Sequence, residues 1–173
     1  MKLLGVDPGA TTGWCLYDEV ARRVVAAGQF PSHEVNLPVE AFGADIVVIE
    51  RPVAHGPTRP AVVECAYTAG RLFEAMLRDW EDGVHELTRR EVKLALTAAT
   101  QRDVVVTDDA TAWAALKLLH GGEGCDKKGM ALHGVKAHER AALAVVVAWK
   151  LIQDAKTAGL ASLEARVASE VTK

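Results

Sequence analysis

Short apolar runs separated by turn residues open the chain, and they predict a meander of strands. Residues 2–7 and 13–17 form two such runs joined by the turn sequence PGATT, and a third run covers 24–30 after a polar turn. Three short strands with short links are typical of an antiparallel meander. A fourth strand is predicted at 45–50, where the apolar run DIVVIE ends on a carboxylate.

After the fourth strand the hydrophobic spacing changes to that of a helix. Apolar residues recur at helical intervals over 61–80, and a short fifth strand is predicted at 84–87. Thr88 and Glu91 then form a capping-box pattern, which predicts a helix over 89–98.

Two more helices complete the predicted elements. One begins at Asp108 or Asp109 and ends at Leu119, with its acidic residues at the positive end of the helix dipole. The last helix begins near Lys136. This order predicts an α/β fold with a mixed five-stranded sheet, in which an antiparallel meander of three strands is followed by the fourth and fifth strands and flanked by helices.

Length and composition indicate one globular domain. The chain has 173 residues, of which 50% are hydrophobic and 25% charged. We expect a domain over 1–155 and a helical tail over 156–173, with a helix break at Gly159. No run approaches the roughly 18 consecutive apolar residues that would predict a membrane span. Three cysteines far apart fit neither a disulfide framework nor a zinc site, so a cytoplasmic protein is expected.

Two strands end on a carboxylate, and this is the leading sign of chemistry. Asp7 closes the first strand and Glu50 closes the fourth. A buried strand is normally apolar, so a carboxylate at its end needs a reason. Asp7 before Pro-Gly would by itself fit an ordinary turn. Paired with Glu50 at one edge of a sheet, it favours a site for a divalent metal ion, which prefers hard carboxylate oxygens.

Basic residues form local clusters although the net charge is −3 and the pI about 6.1. Phosphate contacts require only one basic face, so local charge matters more than the total. Each cluster would also fit an ordinary solvated surface. The candidate DNA contacts are Arg51, Arg59, Arg89, Arg90, Lys93, Lys127, Lys128 and Lys136.

Four motifs together resemble one known family. GVDPGATTGW, VVIERP, ELTRREVKLALT and VKAHERAALAVVVAW occur in that order within residues 1–152. The set resembles the RuvC family of Holliday junction resolvases, in the ribonuclease H-like superfamily, and especially its phage-borne branch. The resemblance implies a ribonuclease H-like nuclease domain over 1–155, in the host cytoplasm if the protein is phage-encoded.

The same resemblance implies a function and a site. The function is that of a homodimeric endonuclease that binds branched DNA and resolves four-way junctions by metal-dependent phosphodiester hydrolysis. Asp7 and Glu50 would bind two Mg²⁺ or Mn²⁺ ions, and His138 would be a third catalytic ligand. The family normally has a fourth ligand, an Asp, where this chain has Ala141.

Ala141 leaves three explanations open, because a methyl group cannot bind a metal ion. The first is a deliberate replacement of the family's Asp, to trap substrate on an inactive protein. The second is natural divergence that transferred the role to Glu139, although residues 139 and 141 lie about 200° apart around a helix. The third explanation is a chain that binds DNA without cutting it.

Two alternative functions follow from these features. One is a junction-binding protein of the same fold without catalysis. The other is a phosphotransferase of the actin-like superfamily, which also begins with an Asp-Gly strand and a Thr-Gly hairpin for phosphates. That domain is normally duplicated, and 173 residues without a repeat are too few for two copies.

Overall fold

Five strands and four helices are formed by the residues that the computed structural model describes, which are 1–31, 41, 43–53, 60–80 and 83–171, with the backbone alone from residue 160. Each strand and helix predicted from the sequence is confirmed, with small shifts at the ends. The elements are β1 (Lys2–Asp7), β2 (Thr11–Asp18), β3 (Arg23–Pro31), β4 (Ile46–Arg51), α1 (Pro60–Trp80), β5 (Val84–Thr88), α2 (Arg89–Ala99), α3 (Asp109–Leu119) and α4 (Ala137–Val171).

The strands form one mixed sheet in the order β3-β2-β1-β4-β5. β1 pairs antiparallel with β2, and β2 with β3, so the predicted meander is confirmed. β4 is parallel to β1 on one side and to β5 on the other. The central strand β1 therefore carries Asp7, and its neighbour β4 carries Glu50.

Each face of the sheet supports its own hydrophobic core. Leu3 and Val48 belong to the core that contains α4, α2 and α3. Leu4 and Val47 point the other way, into the core that α1 covers. Because successive side chains of a strand alternate between the two faces, β1 and β4 are apolar on both faces until their last residues.

Helix α4 packs directly on the sheet because two glycines make room for its backbone. A Cβ atom on Gly5 would overlap the carbonyl oxygen of Ala142, and a Cβ atom on Gly13 would overlap that of His138. Residues 142–149 are buried all around the helix, as expected for a helix enclosed between a sheet and other helices. The first turns of α4 are thereby held against the ends of β1 and β2.

The predicted break at Gly159 is wrong, because α4 continues through this residue to Val171. A glycine costs a helix only about 1 kcal/mol relative to alanine. Its neighbours Ala158, Leu160 and Ala161 are good helix formers, and their propensity outweighs the cost of the single glycine. None of the helices in the described ranges combines the length and apolarity needed to cross a bilayer.

Candidate functional site

The register of the sheet places Asp7 and Glu50 side by side. β1 and β4 are parallel, and Val6 of β1 is aligned with Ile49 of β4, so the two carboxylates follow at the same edge. Val6 and Ile49 both face the α1 core. Because side chains alternate along a strand, Asp7 and Glu50 both lie on the α4 side. The predicted convergence of the two strand ends is therefore present.

Both carboxylates are largely buried, and this environment opposes their ionisation. Burial, and next the charge of Glu50, raise the pKa of Asp7 from 3.8 to about 7, while Arg89 acts in the opposite direction. Burial also raises the pKa of Glu50, again against the lowering effect of Arg89. Two neighbouring carboxylates with raised pKa values are a favourable place for a cation.

His138 lies beside Asp7 because α4 packs on the sheet at this point. Its Nδ1 atom is 4.0 Å from Oδ2 of Asp7, and its side chain is half exposed. The His138 backbone rests on Gly13, which is paired with Asp7 in the sheet. The structure therefore brings His138 together with Asp7, as the sequence motif implied.

Glu139 and Ala141 point to different surroundings. Glu139 is buried, and its Oε2 atom accepts a hydrogen bond of 2.7 Å from the backbone N–H of Lys136. This bond caps the first turn of α4, since Glu139 is the third residue of the helix. Ala141 instead lines the same cavity as Asp7 and His138. The capping role of Glu139 argues against this residue as a substitute ligand.

The donors present fit one divalent cation better than two. Asp7 and Glu50 offer hard oxygen atoms, which Mg²⁺ and Mn²⁺ prefer. Ala141 offers no donor atom at the fourth position. Within the described residues, no three His, Cys, Asp or Glu side chains are arranged as a metal-binding group.

Arg89 joins the site in a way that the sequence did not reveal. As the first residue of α2, it donates from Nη1 to Oε2 of Glu50 at 2.9 Å. Its Nη2 atom forms an ion pair with Asp109, the first residue of α3. Arg89 was predicted to contact DNA, and here it bridges two carboxylates. Asp109 was predicted only as a helix start, because nothing local in the sequence connects residues 50, 89 and 109.

Two cavities flank the acidic pair. One, of about 680 Å³, is lined by Glu50 together with the apolar side chains of Val62 and Cys65. Three of the predicted DNA contacts line it: Arg51, Arg89 and Arg90. The other cavity, of about 460 Å³, lies between α3 and α4 and includes Asp7, Asp109, Trp113, His138, Arg140 and Ala141.

Lys93 is close to the site but is engaged in a structural contact. It is half-buried on α2, and its Nζ atom donates a hydrogen bond of 2.6 Å to the carbonyl oxygen of Thr107. Its charge also lowers the pKa of Glu50, after the two contributions of Arg89. Lys93 thus adds to the positive potential beside Glu50.

The remaining basic candidates lie apart from the two cavities. Lys127 and Lys128 are exposed on the turns that connect α3 and α4, and Lys136 is exposed where α4 begins. These turns are anchored to the core by Cys125 and Leu132, both buried. Arg59 lies outside the described residues.

Comparisons with known proteins agree with this geometry at the level of the fold. No protein-family model matches the chain, and no curated protein matches it. The structure of RuvC from Thermus thermophilus superimposes with a TM-score of 0.57 at 16% identity, covering 91% of this chain and 98% of that one. T. thermophilus RuvC in complex with a Holliday junction substrate gives a TM-score of 0.55 at 16% identity, covering 89% and 96%.

This chain has a RuvC-like fold. The predicted class, an α/β fold with a mixed five-stranded sheet, is therefore confirmed both by the strand order and by the superposition. The RuvC-like sheet carries Asp7 and Glu50 on its central pair of parallel strands. Arg140 and Trp113, which also line the α3–α4 cavity, were missed because residues 27 positions apart carry no local signal.

Proposed function

We propose that this chain is a structure-selective endonuclease that acts on four-way DNA junctions with a divalent metal ion. The observation that carries the proposal is the side-by-side placement of Asp7 and Glu50 at the ends of two parallel strands, in a RuvC-like fold. Burial and mutual repulsion both oppose the ionisation of these two carboxylates. A bound cation would stabilise their charged forms.

Each residue of the site would have a separate role in metal binding or in phosphate contact. Asp7 and Glu50 would hold the cation, and His138, half exposed beside Asp7, would have to turn its ring toward the ion to serve as a third ligand from α4. When bound, Mg²⁺ or Mn²⁺ would polarise the phosphate and activate a water molecule as nucleophile. Arg51 and Arg90, which line the larger cavity, would contact phosphates of the DNA backbone.

Binding to an immobile four-way junction tests the substrate class. We expect the wild-type chain to bind the junction more tightly than a linear duplex of the same sequence at moderate salt. Affinity should fall steeply as salt is raised, because phosphate contacts release counterions. Equal affinity for junction and duplex would contradict the proposal.

Cleavage of the same junction tests the chemistry. With Mg²⁺ or Mn²⁺ we expect paired cuts, and Asp7→Asn should abolish the product while junction binding in EDTA persists. The persistence of cutting in Asp7→Asn would refute the assigned site.

We further propose a homodimer, because two-fold symmetry would match paired cuts in a four-way junction. The molar mass in solution checks this.

A second candidate is a junction-binding protein without catalysis, which Ala141 specifically favours. It predicts junction binding that EDTA leaves unchanged, and no product with any divalent ion. In that case Ala141→Asp distinguishes an inactivated resolvase from a divergent one. Recovery of cleavage by this variant would indicate a site inactivated by a single replacement. Tight ATP binding without DNA binding would instead support the actin-like phosphotransferase.

A further inference from the structure

The cavity between α3 and α4 combines the candidate metal ligands with a cationic side chain. Asp7 and His138 line it together with Arg140, whose side chain comes from the second turn of α4. A phosphate that approached a cation on Asp7 from the α4 side would enter this space of about 460 Å³. Arg140 is therefore placed beside the proposed reaction centre.

The Arg140 guanidinium lies over an aromatic ring of the cavity wall. Its Cζ atom lies 4.4 Å from the centre of the Trp113 ring, and Trp113 itself is buried. Its Nε atom donates to the carbonyl oxygen of Val135 at 3.4 Å. An arginine stacked on a fixed aromatic ring loses less side-chain entropy on binding an anion. These contacts leave the terminal Nη atoms for another partner.

Among the described residues, Arg140 forms no ion pair with a carboxylate. Arg89, by contrast, bridges Glu50 and Asp109. A pre-oriented guanidinium without a carboxylate partner favours an anionic ligand, and its two parallel N–H donors match two oxygens of a phosphate.

Ala141 makes this positive charge more effective. An Asp at this position would add a negative charge to the cavity that Arg140 lines, and the methyl group of Ala141 adds none. The same residue deprives the site of a ligand for a second metal ion. The cavity thus lacks a ligand for a second metal ion, and the guanidinium of Arg140 brings a positive charge to the same space.

We propose that Arg140 binds a phosphate of the junction in this cavity, and supplies positive charge where Ala141 provides no metal ligand. This inference rests on the proposed function, since it takes DNA as the substrate. Arg140 would orient the phosphate toward the cation that Asp7 would hold beside His138, and would stabilise negative charge on the non-bridging oxygens.

The test measures junction binding in EDTA, which removes any contribution from metal ions. The wild type is compared with Arg140→Ala, Arg140→Lys and the control Arg23→Ala, which removes an exposed arginine on the edge strand β3. We expect Arg140→Ala to weaken binding about tenfold and to reduce the salt slope by about one. Arg140→Lys should keep the salt slope with an intermediate affinity, and Arg23→Ala should match the wild type.

The outcomes separate the two proposals. If the wild type prefers the junction and Arg140→Ala binds it with unchanged affinity and salt slope, the role of Arg140 is refuted and the proposed function stands. If the wild type binds no DNA, both fall. Equal thermal unfolding of the wild type, Arg140→Ala and Arg140→Lys excludes misfolding as the cause of weaker binding, and the lysine keeps an aliphatic stem over Trp113.

Discussion

Asp7 is the carboxylate whose ionisation is most clearly disfavoured by the folded structure. Its pKa is raised from 3.8 to about 7 by burial and by Glu50, so the folded chain binds this proton more tightly than the unfolded chain does. The resulting stabilisation is complete below the ordinary pKa, and it is lost as the pH rises through about 7. Burial raises the pKa of Glu50 in the same direction.

Replacing Asp7 by Asn should therefore stabilise the metal-free protein at high pH. We expect a gain of about 2 kcal/mol in the free energy of unfolding at pH 8, and little gain at pH 4. Urea denaturation at both pH values measures this, with Asp103→Asn as a control on an exposed loop. At pH 8, Mg²⁺ should stabilise the wild type and not Asp7→Asn. The same pH dependence in wild type and Asp7→Asn would contradict the assigned environment.

Arg89 neutralises part of the negative charge of Asp7 and Glu50. Its removal should therefore destabilise the protein at high pH, where Asp7→Asn stabilises it. Arg89→Gln takes away the charge that lowers the pKa of Asp7 and Glu50, so we expect a loss of about 2 kcal/mol at pH 8. The loss should shrink at pH 4, where both carboxylates bind protons. Denaturation curves at the two pH values give the comparison.

Arg78→Gln provides the matched control for Arg89→Gln. Arg78 pairs with Glu74 at 2.6 Å one helical turn away, but both side chains are mostly exposed. Exposed pairs of this kind contribute about 0.5 kcal/mol or less. Equal losses of unfolding free energy in Arg78→Gln and Arg89→Gln would show that the partly buried Arg89–Glu50 pair stabilises the protein no more than the exposed pair does.

At the scale of elements, the close contact between α4 and the sheet positions the site. Gly5 meets the backbone of Ala142, and Gly13 meets that of His138. Any side chain at either glycine would push α4 away from β1 and β2. His138 would then move away from Asp7, since it lies on the displaced turn.

Gly5→Ala should consequently destabilise the protein by about 3 kcal/mol through overpacking against backbone that cannot move aside easily. Gly70→Ala in α1 is the control, because open space surrounds Gly70 and the helix should gain about 0.5–1 kcal/mol. Thermal and urea denaturation of both variants check the difference. A stable Gly5→Ala protein would mean that α4 does not pack as closely as described.

At the scale of the whole molecule, burial along α4 ends before the helix does. Residues 142–149 are buried, whereas 154–159 are exposed. A chain ending at residue 159 should therefore keep the folded domain, with a change of less than about 1 kcal/mol in unfolding free energy. This prediction also tests the proposed division between a domain at 1–155 and a tail at 156–173.

A shorter truncation, ending at residue 147, is the contrasting variant. It removes Ala148 and Trp149, both buried, and the stacking of Trp149 on His85 at 5.0 Å. We expect this chain not to fold, as judged by circular dichroism. A large loss of stability in the chain ending at 159 would show that residues 160–173 pack on the domain.

Local pattern was enough to predict the elements and the acidic strand ends. Alternation and turn residues identify β1 to β3, and Thr88 with Glu91 marks the start of α2, where both capping hydrogen bonds are present. These features depend on neighbours in the chain, so spacing alone reveals them. Gly159 was misjudged because a single glycine is weaker than the helix propensity around it.

The surroundings of Asp7 and Glu50 were decided by the tertiary structure. Arg89 is 39 residues from Glu50 and 20 from Asp109, and the three meet only because β4, α2 and α3 converge at one edge of the sheet. Arg140 lines the same cavity as Asp7 for a similar reason, since α4 returns across the sheet beside β1.

The sequence by itself determined that two carboxylates end two core strands, because this follows from the order of apolar and polar residues. Their raised pKa values, the bridging Arg89 and the Arg140 cavity depend on burial and on distances between remote segments. Such quantities arise only when the chain is folded, and for that reason the structure was needed to define the site.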